Sequence, residues 1–181
     1  SKEISNSTEW LNTKAAIEGM LAQLRSNPGD EKTKVNLALA YIQESRVTGD
    51  HSYYDKASLQ LIDEVLKKDE NNFDAACAKA TVLLSQHHFS EALEEGKRAV
   101  SLNPFSPSGY GVLTDANVEL GNYDEAILTA DKMSSIRPDL RSYSRISYLR
   151  EIFGDLSGAR EAMTFAIESG IPGLEQAEWC R

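Results

Sequence analysis

The sequence predicts an all-α solenoid of antiparallel helix pairs, and three observations carry that prediction. Pro104, Pro138 and Pro172 recur every 34 residues, a period of the size that stacked repeats show. A second, independent marker is a bulky residue followed by Asp or Ser, any residue, and Ala. It occurs at Tyr54–Ala57, Phe89–Ala92, Tyr123–Ala126 and Leu156–Ala159, with its alanines 35, 34 and 33 residues apart. No segment joins strand-type alternation to strand-forming composition.

Taken in order, Thr8 to Arg25 reads as one amphipathic helix with Trp10, Leu11, Ala15, Ile17, Met20, Leu21 and Leu24 on its apolar side, so residues 1–30 are expected to form a capping helix. Residues 31–72 make a first repeat with an enlarged inter-helix turn. Ala57 follows Tyr41 by 16 positions, where Ala92 follows Leu83 by nine, and the surplus falls around Arg46 to Ser52, which contains a turn-forming Gly49-Asp50. Residues 73–106 form repeat 2. In repeat 3, residues 107–140, Ser106-Pro107 suits an N-cap followed by Pro at the first helical position. Gly121-Asn122 breaks that helix, and Asp124 is placed to cap the next, whose inward stripe is Ala126, Ile127, Ala130 and Met133. Repeat 4 covers 141–173, and 174–181 reads as the start of a truncated fifth repeat that carries Trp179.

These residues resemble the tetratricopeptide repeat. Ala80, Phe89, Ala92, Gly96, Ala99 and Pro104 fit its pattern in repeat 2. Tyr110, Leu113, Gly121, Tyr123, Ala126, Ala130 and Pro138 fit it in repeat 3, and Tyr143, Ile146, Gly154, Ala159, Met163 and Ala166 in repeat 4. In the first repeat Leu37, Ala38, Tyr41, Ala57 and Leu61 match. The pattern is steric at root, since a small residue at a helix crossing lets two helices approach while large residues fill the adjoining holes. The resemblance implies a right-handed α–α superhelix and a scaffold. The string from Arg46 to Ala57, the segment Arg141–Arg145 and Trp179 are similar to a bacterial subgroup of unassigned biochemical role.

Composition narrows the function classes. The 181 residues carry 19 Lys plus Arg against 28 Asp plus Glu, a net charge of −9. Binding to phosphate backbones depends on Lys and Arg displacing counterions, so nucleic acid and anionic membrane are not expected partners. No run approaches the roughly 18 apolar residues of a membrane span. Ser1 to Asn12 lack the basic and apolar regions of a signal peptide, so the expected compartment is the cytoplasm, or the cell envelope or periplasm if a signal has been removed.

Catalytic chemistry finds little support. His51 lies in the expected turn, and His87-His88 at the bend of repeat 2 offer too few ligands for a metal centre, which needs three or four that converge. A metal-dependent enzyme using His87 or His88 is the weakest of three functional readings. Cys77 and Cys180 are 103 residues apart, about three repeats in a solenoid, and too far for an intrachain disulfide. Neither a nucleophile triad in order nor a phosphate-cradling Gly loop is present. The expectation is therefore no catalytic residues, no metal and no cofactor.

The resemblance implies that the first helices of successive repeats line a concave groove in which a peptide or helical segment of a protein partner lies. Its groove positions fall on Asn36 and Gln43, on Asp74, Cys77 and Thr81, on Ser108, Gly111, Asp115 and Glu119, and on Arg141, Arg145 and Tyr148. Arg141 and Arg145, four apart on one helix face, match the two basic members of the family's carboxylate clamp. Its other members are missing, because those positions hold Cys77, Thr81 and Val112, so a chaperone-tail clamp is not expected. The competing reading pairs the two arginines with Asp115, Glu119 or Glu151. A second functional reading is a self-associating module built on the C-terminal end.

Overall fold

The computed structural model describes residues 13–170, which fall into two compact units divided between His88 and Phe89. Trp10, Leu11, Pro172, Trp179, Cys180, the first turns of the expected cap helix and the truncated fifth repeat lie outside the described residues. The described secondary structure is all helical, and no described helix is long and apolar enough to cross a membrane.

The first unit holds α1 (Thr13–Ser26), α2 (Glu31–Thr48), α3 (His51–Lys68) and α4 (Phe73–Ser85). Each packs on the next, and α2 also touches α4. Val35, Ala38 and Ile42 of α2, Ile62 and Val65 of α3, and Ala75, Ala78 and Val82 of α4 form its buried core. On α1, Ile17, Met20 and Leu24 are half-buried, whereas Ala15 and Leu21 of the expected stripe are exposed.

The enlarged turn expected in the first repeat is absent. Only Gly49 and Asp50 separate α2 from α3, and the surplus residues lengthen the helices, which have 18 residues each against 13 or 14 in the second unit. Gly49 takes the left-handed conformation (φ 74°) that ends α2, with its N–H donating to Ser45 O, and the Asp50 side chain immediately caps α3 by accepting from Tyr53 N. Two signals back to back leave no room for a loop. The rings of Tyr41, Tyr53 and Tyr54 meet edge-on or tilted at centroid distances of 5.1–6.3 Å and tie the two helices together.

A second correction concerns register. Ala57 is only half-buried, while Ser58 is fully buried and donates its hydroxyl to Ala38 O at 3.0 Å across the α2–α3 crossing. Ser58 is thus the small residue at that crossing. Counted from it, the spacings to Ala92, Ala126 and Ala159 become 34, 34 and 33.

The second unit holds α5 (Phe89–Leu102), α6 (Pro107–Glu119), α7 (Tyr123–Ile136), α8 (Leu140–Ile152) and α9 (Leu156–Ser169). Again each helix packs on the next, and α6 also touches α8. Ala92 and Ala99 are fully buried on α5, and a Cβ at Gly96 would lie 2.9 Å from Leu113 Cδ2. Ala126, Ala130 and Leu149 form a second core with Val118, Ile127 and Ile146 packed against it. Pro107 opens α6 as expected, but Asp124 does not cap α7, because that helix begins at Tyr123, two residues before the start that a cap at Asp124 implies. Asn122 holds the cap position and turns its amide to Asn117 Oδ1.

Candidate functional site

The site lies in the second unit, where α6 and α8 run side by side. Asp139 and Ser142 open α8 with a capping box: Asp139 Oδ1 accepts from Arg141 N and Ser142 N, while Ser142 Oγ accepts from Asp139 N. This fixes where the helix starts and so which stripe it presents. Helical spacing then places Arg141, Arg145 and Tyr148 one above another.

Arg145 grips Asp115 of α6 at two points, Nε to Oδ1 at 2.8 Å and Nη2 to Oδ2 at 2.6 Å. Its Nη1 donates to Arg141 O at 3.0 Å. One turn before Asp115, Gly111 lies beneath the guanidinium, and a Cβ there would make ordinary van der Waals contact with Arg145 Cζ at 3.5 Å. The planar fork is thus held by the Asp115 carboxylate and by Arg141 O. Thr114, Asp115, Val118, Glu119, Arg145 and Tyr148 enclose a shallow pocket of about 100 Å³. Tyr148 is 53% exposed at its rim. The side chains of Arg141 and Glu119 are exposed and form no ion pair among the described residues. Of the three carboxylates expected to compete for the arginines, Asp115 pairs with Arg145, and Glu119 and Glu151 pair with neither.

The other groove candidates are placed differently. Ser108, at the start of α6, shares a hydrogen bond with Ser106. In the first unit Asn36 and Gln43 on α2 and Asp74 on α4 are exposed. Cys77 is buried, and Thr81 spends its hydroxyl on Cys77 O one turn back in its own helix. The Cys77 side chain is therefore withdrawn from a ligand, and half-buried Thr81 offers only the acceptor side of its hydroxyl.

Sequence reading missed a polar cluster in the α2–α3 hairpin. His51 Nδ1 lies 2.9 Å from Ser45 Oγ and 3.4 Å from Asp55 Oδ2. A nucleophile relay needs the hydroxyl and the carboxylate on opposite ring nitrogens, whereas here both meet Nδ1, and Ser45 is buried. The cluster is structural. Glu44 and Asp55 are 4% and 6% exposed, and each has one carboxylate oxygen without a hydrogen-bond partner. Helical spacing was the available signal for both residues, Glu44 three after Tyr41 and Asp55 four after His51. His87, in the left-handed region at φ 60°, and His88 are exposed at the bend after α4. Among the described residues no three His, Cys, Asp or Glu side chains converge as a metal site.

No protein-family model and no curated protein matches the sequence. Solved structures do match the fold. A thermophilic TPR protein from Thermus thermophilus aligns over 98% of this chain and 94% of its own, with a TM-score of 0.81 at 15% identity. The chain has the tetratricopeptide repeat fold. A tetratricopeptide repeat protein from Parabacteroides merdae aligns over 97% of this chain and 66% of its own, with a TM-score of 0.79 at 18% identity. MamA from Desulfovibrio magneticus aligns over 92% and 91%, with a TM-score of 0.62 at 20% identity. At these identities the likeness concerns the fold. In tetratricopeptide terms α6 and α8 are the first helices of successive repeats, which is why they touch and why their stripes share one face.

Proposed function

We propose that this chain is a non-catalytic interaction scaffold whose α6–α8 face holds a peptide or helical segment of a protein partner by an acidic group. The observation that carries the reading is the state of the two arginines. Asp115 already balances Arg145 and orients it, while Arg141, one turn away, brings an exposed positive charge with no ion pair among the described residues. A ligand carboxylate at Arg141 would meet both a cation and the N–H groups that Arg145 has not spent on Asp115 and Arg141 O. Tyr148 beside them offers a ring for an apolar neighbour, the amphipathic contact common at binding faces. The buried Cys77 and the internally bonded Thr81 argue against a second anchor of the clamp type in the first unit.

Selection of a peptide library with free C-termini against the full chain tests this. Acidic peptides should be enriched, and Arg141→Glu should remove the enrichment while helicity measured by circular dichroism stays unchanged. Enrichment that needs neither acidic residues nor a free C-terminal carboxylate, or binding indifferent to Arg141→Glu and Tyr148→Ala, would sink the reading.

A further inference from the structure

A larger opening lies elsewhere in the second unit, between α7 and α8. Ala130 and Leu149 form its buried floor, and Ile127 and Ile146 its half-buried sides. Its volume is about 330 Å³, three times that of the α6–α8 pocket and within the roughly 300–1,000 Å³ range of ligand clefts. Phe153 is its outer wall. That residue is the C-cap of α8, and its ring stands edge-on to Tyr123 at 6.0 Å yet stays 58% exposed. An exposed aromatic ring beside an apolar floor is the kind of anchor that interfaces use, and its edge contact with Tyr123 sets its orientation.

The charges at the rim are unequal. Arg150 and Asp155 face each other at 3.4 Å, and the other oxygen of Asp155 accepts from Gly158 N to cap α9. The pair lies across Gly158, where a Cβ would collide with Arg150 Nη1 and Asp155 Oδ2. Both side chains are thus committed to starting α9. Asp131 is exposed and forms no ion pair among the described residues, so the lining keeps one unbalanced negative charge in a chain of net charge −9.

We infer that the α7–α8 crevice docks an amphipathic helical segment of a protein partner, with a large apolar side chain entering against Phe153 and a Lys or Arg one turn away meeting Asp131. An isologous contact between two copies would set Asp131 against Asp131, a like-charge juxtaposition that a partner segment carrying Lys or Arg avoids. This inference stands apart from the acidic-ligand reading of the α6–α8 face, since the two surfaces share no lining residue and want partners of opposite charge.

The probe is a fluorescein-labelled helical peptide of about 18 residues, five turns, with Leu and Trp along one stripe and Arg flanking it. A matched peptide carries Glu in place of Arg. Fluorescence anisotropy with the full chain should show binding of the Arg peptide and weak binding of the Glu peptide. Asp131→Arg should weaken the first about tenfold and strengthen the second, and Phe153→Ser should weaken the Arg peptide at least about tenfold, as loss of an interface anchor does. Arg141→Glu should leave both unchanged. The charge swap reads out as a gain for the Glu peptide, so it remains decisive even if Phe153→Ser disturbs folding. Equal affinity for the two peptides, indifference to Asp131→Arg, or a Phe153-dependent dimer in sedimentation would overturn the inference.

Discussion

Asp30 accepts three hydrogen bonds, from Thr33 N at 3.0 Å, from the Thr33 hydroxyl at 2.8 Å and from the Gln23 amide at 2.7 Å. The first two cap α2, and the third reaches back to α1, so one carboxylate joins the two helices. The Thr33 backbone N–H, then the Thr33 hydroxyl, favour the ionised form and hold the carboxyl below its ordinary range. Because the native pKa is depressed, the stability it contributes is complete above the ordinary Asp value, about pH 4, and is lost as pH falls through the lower native value. Asp30→Asn keeps an acceptor at the cap but removes the titration. The stability advantage of the parent over this variant, followed by urea unfolding from pH 6 to pH 2.5, should therefore shrink on acidification. An advantage that stays constant with pH would show that Asp30 is not ionised through these bonds. Nothing in the sequence distinguished Asp30 from its acidic neighbours. The arginine pair was legible, because an i,i+4 spacing can be read directly. The choice of Asp115 over Glu119 and Glu151 was not, because all three carboxylates are near in the repeat pattern and only the packing of α6 on α8 decides which one meets the guanidinium.

At the scale of elements, the helices of the second unit start and stop close to the sequence markers, while the first hairpin departs from them where extra residues enter. Arg46 to Ser52 have the polar, Gly-containing composition of a loop, and only the two caps at Gly49 and Asp50, working in opposite directions, turn that composition into helix ends. Ala57 stands beside Ser58 in the sequence, and alanine is the obvious small residue at a crossing. A serine serves equally when its hydroxyl finds a carbonyl across the crossing, as Ser58 does at Ala38 O and Ser147 does at Ala159 O. This makes the two positions unequal under substitution. Ser58→Leu should overfill the α2–α3 crossing and cost about 1–3 kcal/mol, whereas Ala57→Leu, at a half-buried position, should stay within about 0.5 kcal/mol. Chemical unfolding of the two variants decides the register, and equal losses would return the crossing to Ala57. The α7–α8 crevice was invisible for a related reason. Ile127, Ala130, Ile146 and Leu149 read as ordinary core positions, and only Phe153, large, apolar and one residue before Gly154, hinted that the packing there is incomplete.

For the molecule as a whole, the charge of −9 and the two proposed surfaces make a joint claim about kinetics. The field felt by an approaching ligand at a distance is set by the net charge, while the pair formed on contact is set by the local residue. A basic helical segment bound for Asp131 and Phe153 is drawn in by both. An acidic segment bound for Arg141 is attracted locally and repelled globally. Salt shortens the reach of the field from about 30 Å at 0.01 M to about 8 Å at physiological strength, so it removes the global part first. Raising ionic strength should therefore slow the association of the Arg-flanked peptide and speed that of an acidic peptide selected on the α6–α8 face. Both dissociation rates should rise, because each contact pair is itself screened. Stopped-flow anisotropy across that range of salt measures all four rates. Association rates that move in the same direction would show that one surface, or one charge, governs both encounters. Asp131→Arg should flatten the salt dependence of the basic peptide only slightly, since it changes the net charge by two units of nine, while lowering its affinity sharply. That separation of a small effect on approach from a large effect on residence is what a local anchor on an acidic solenoid produces.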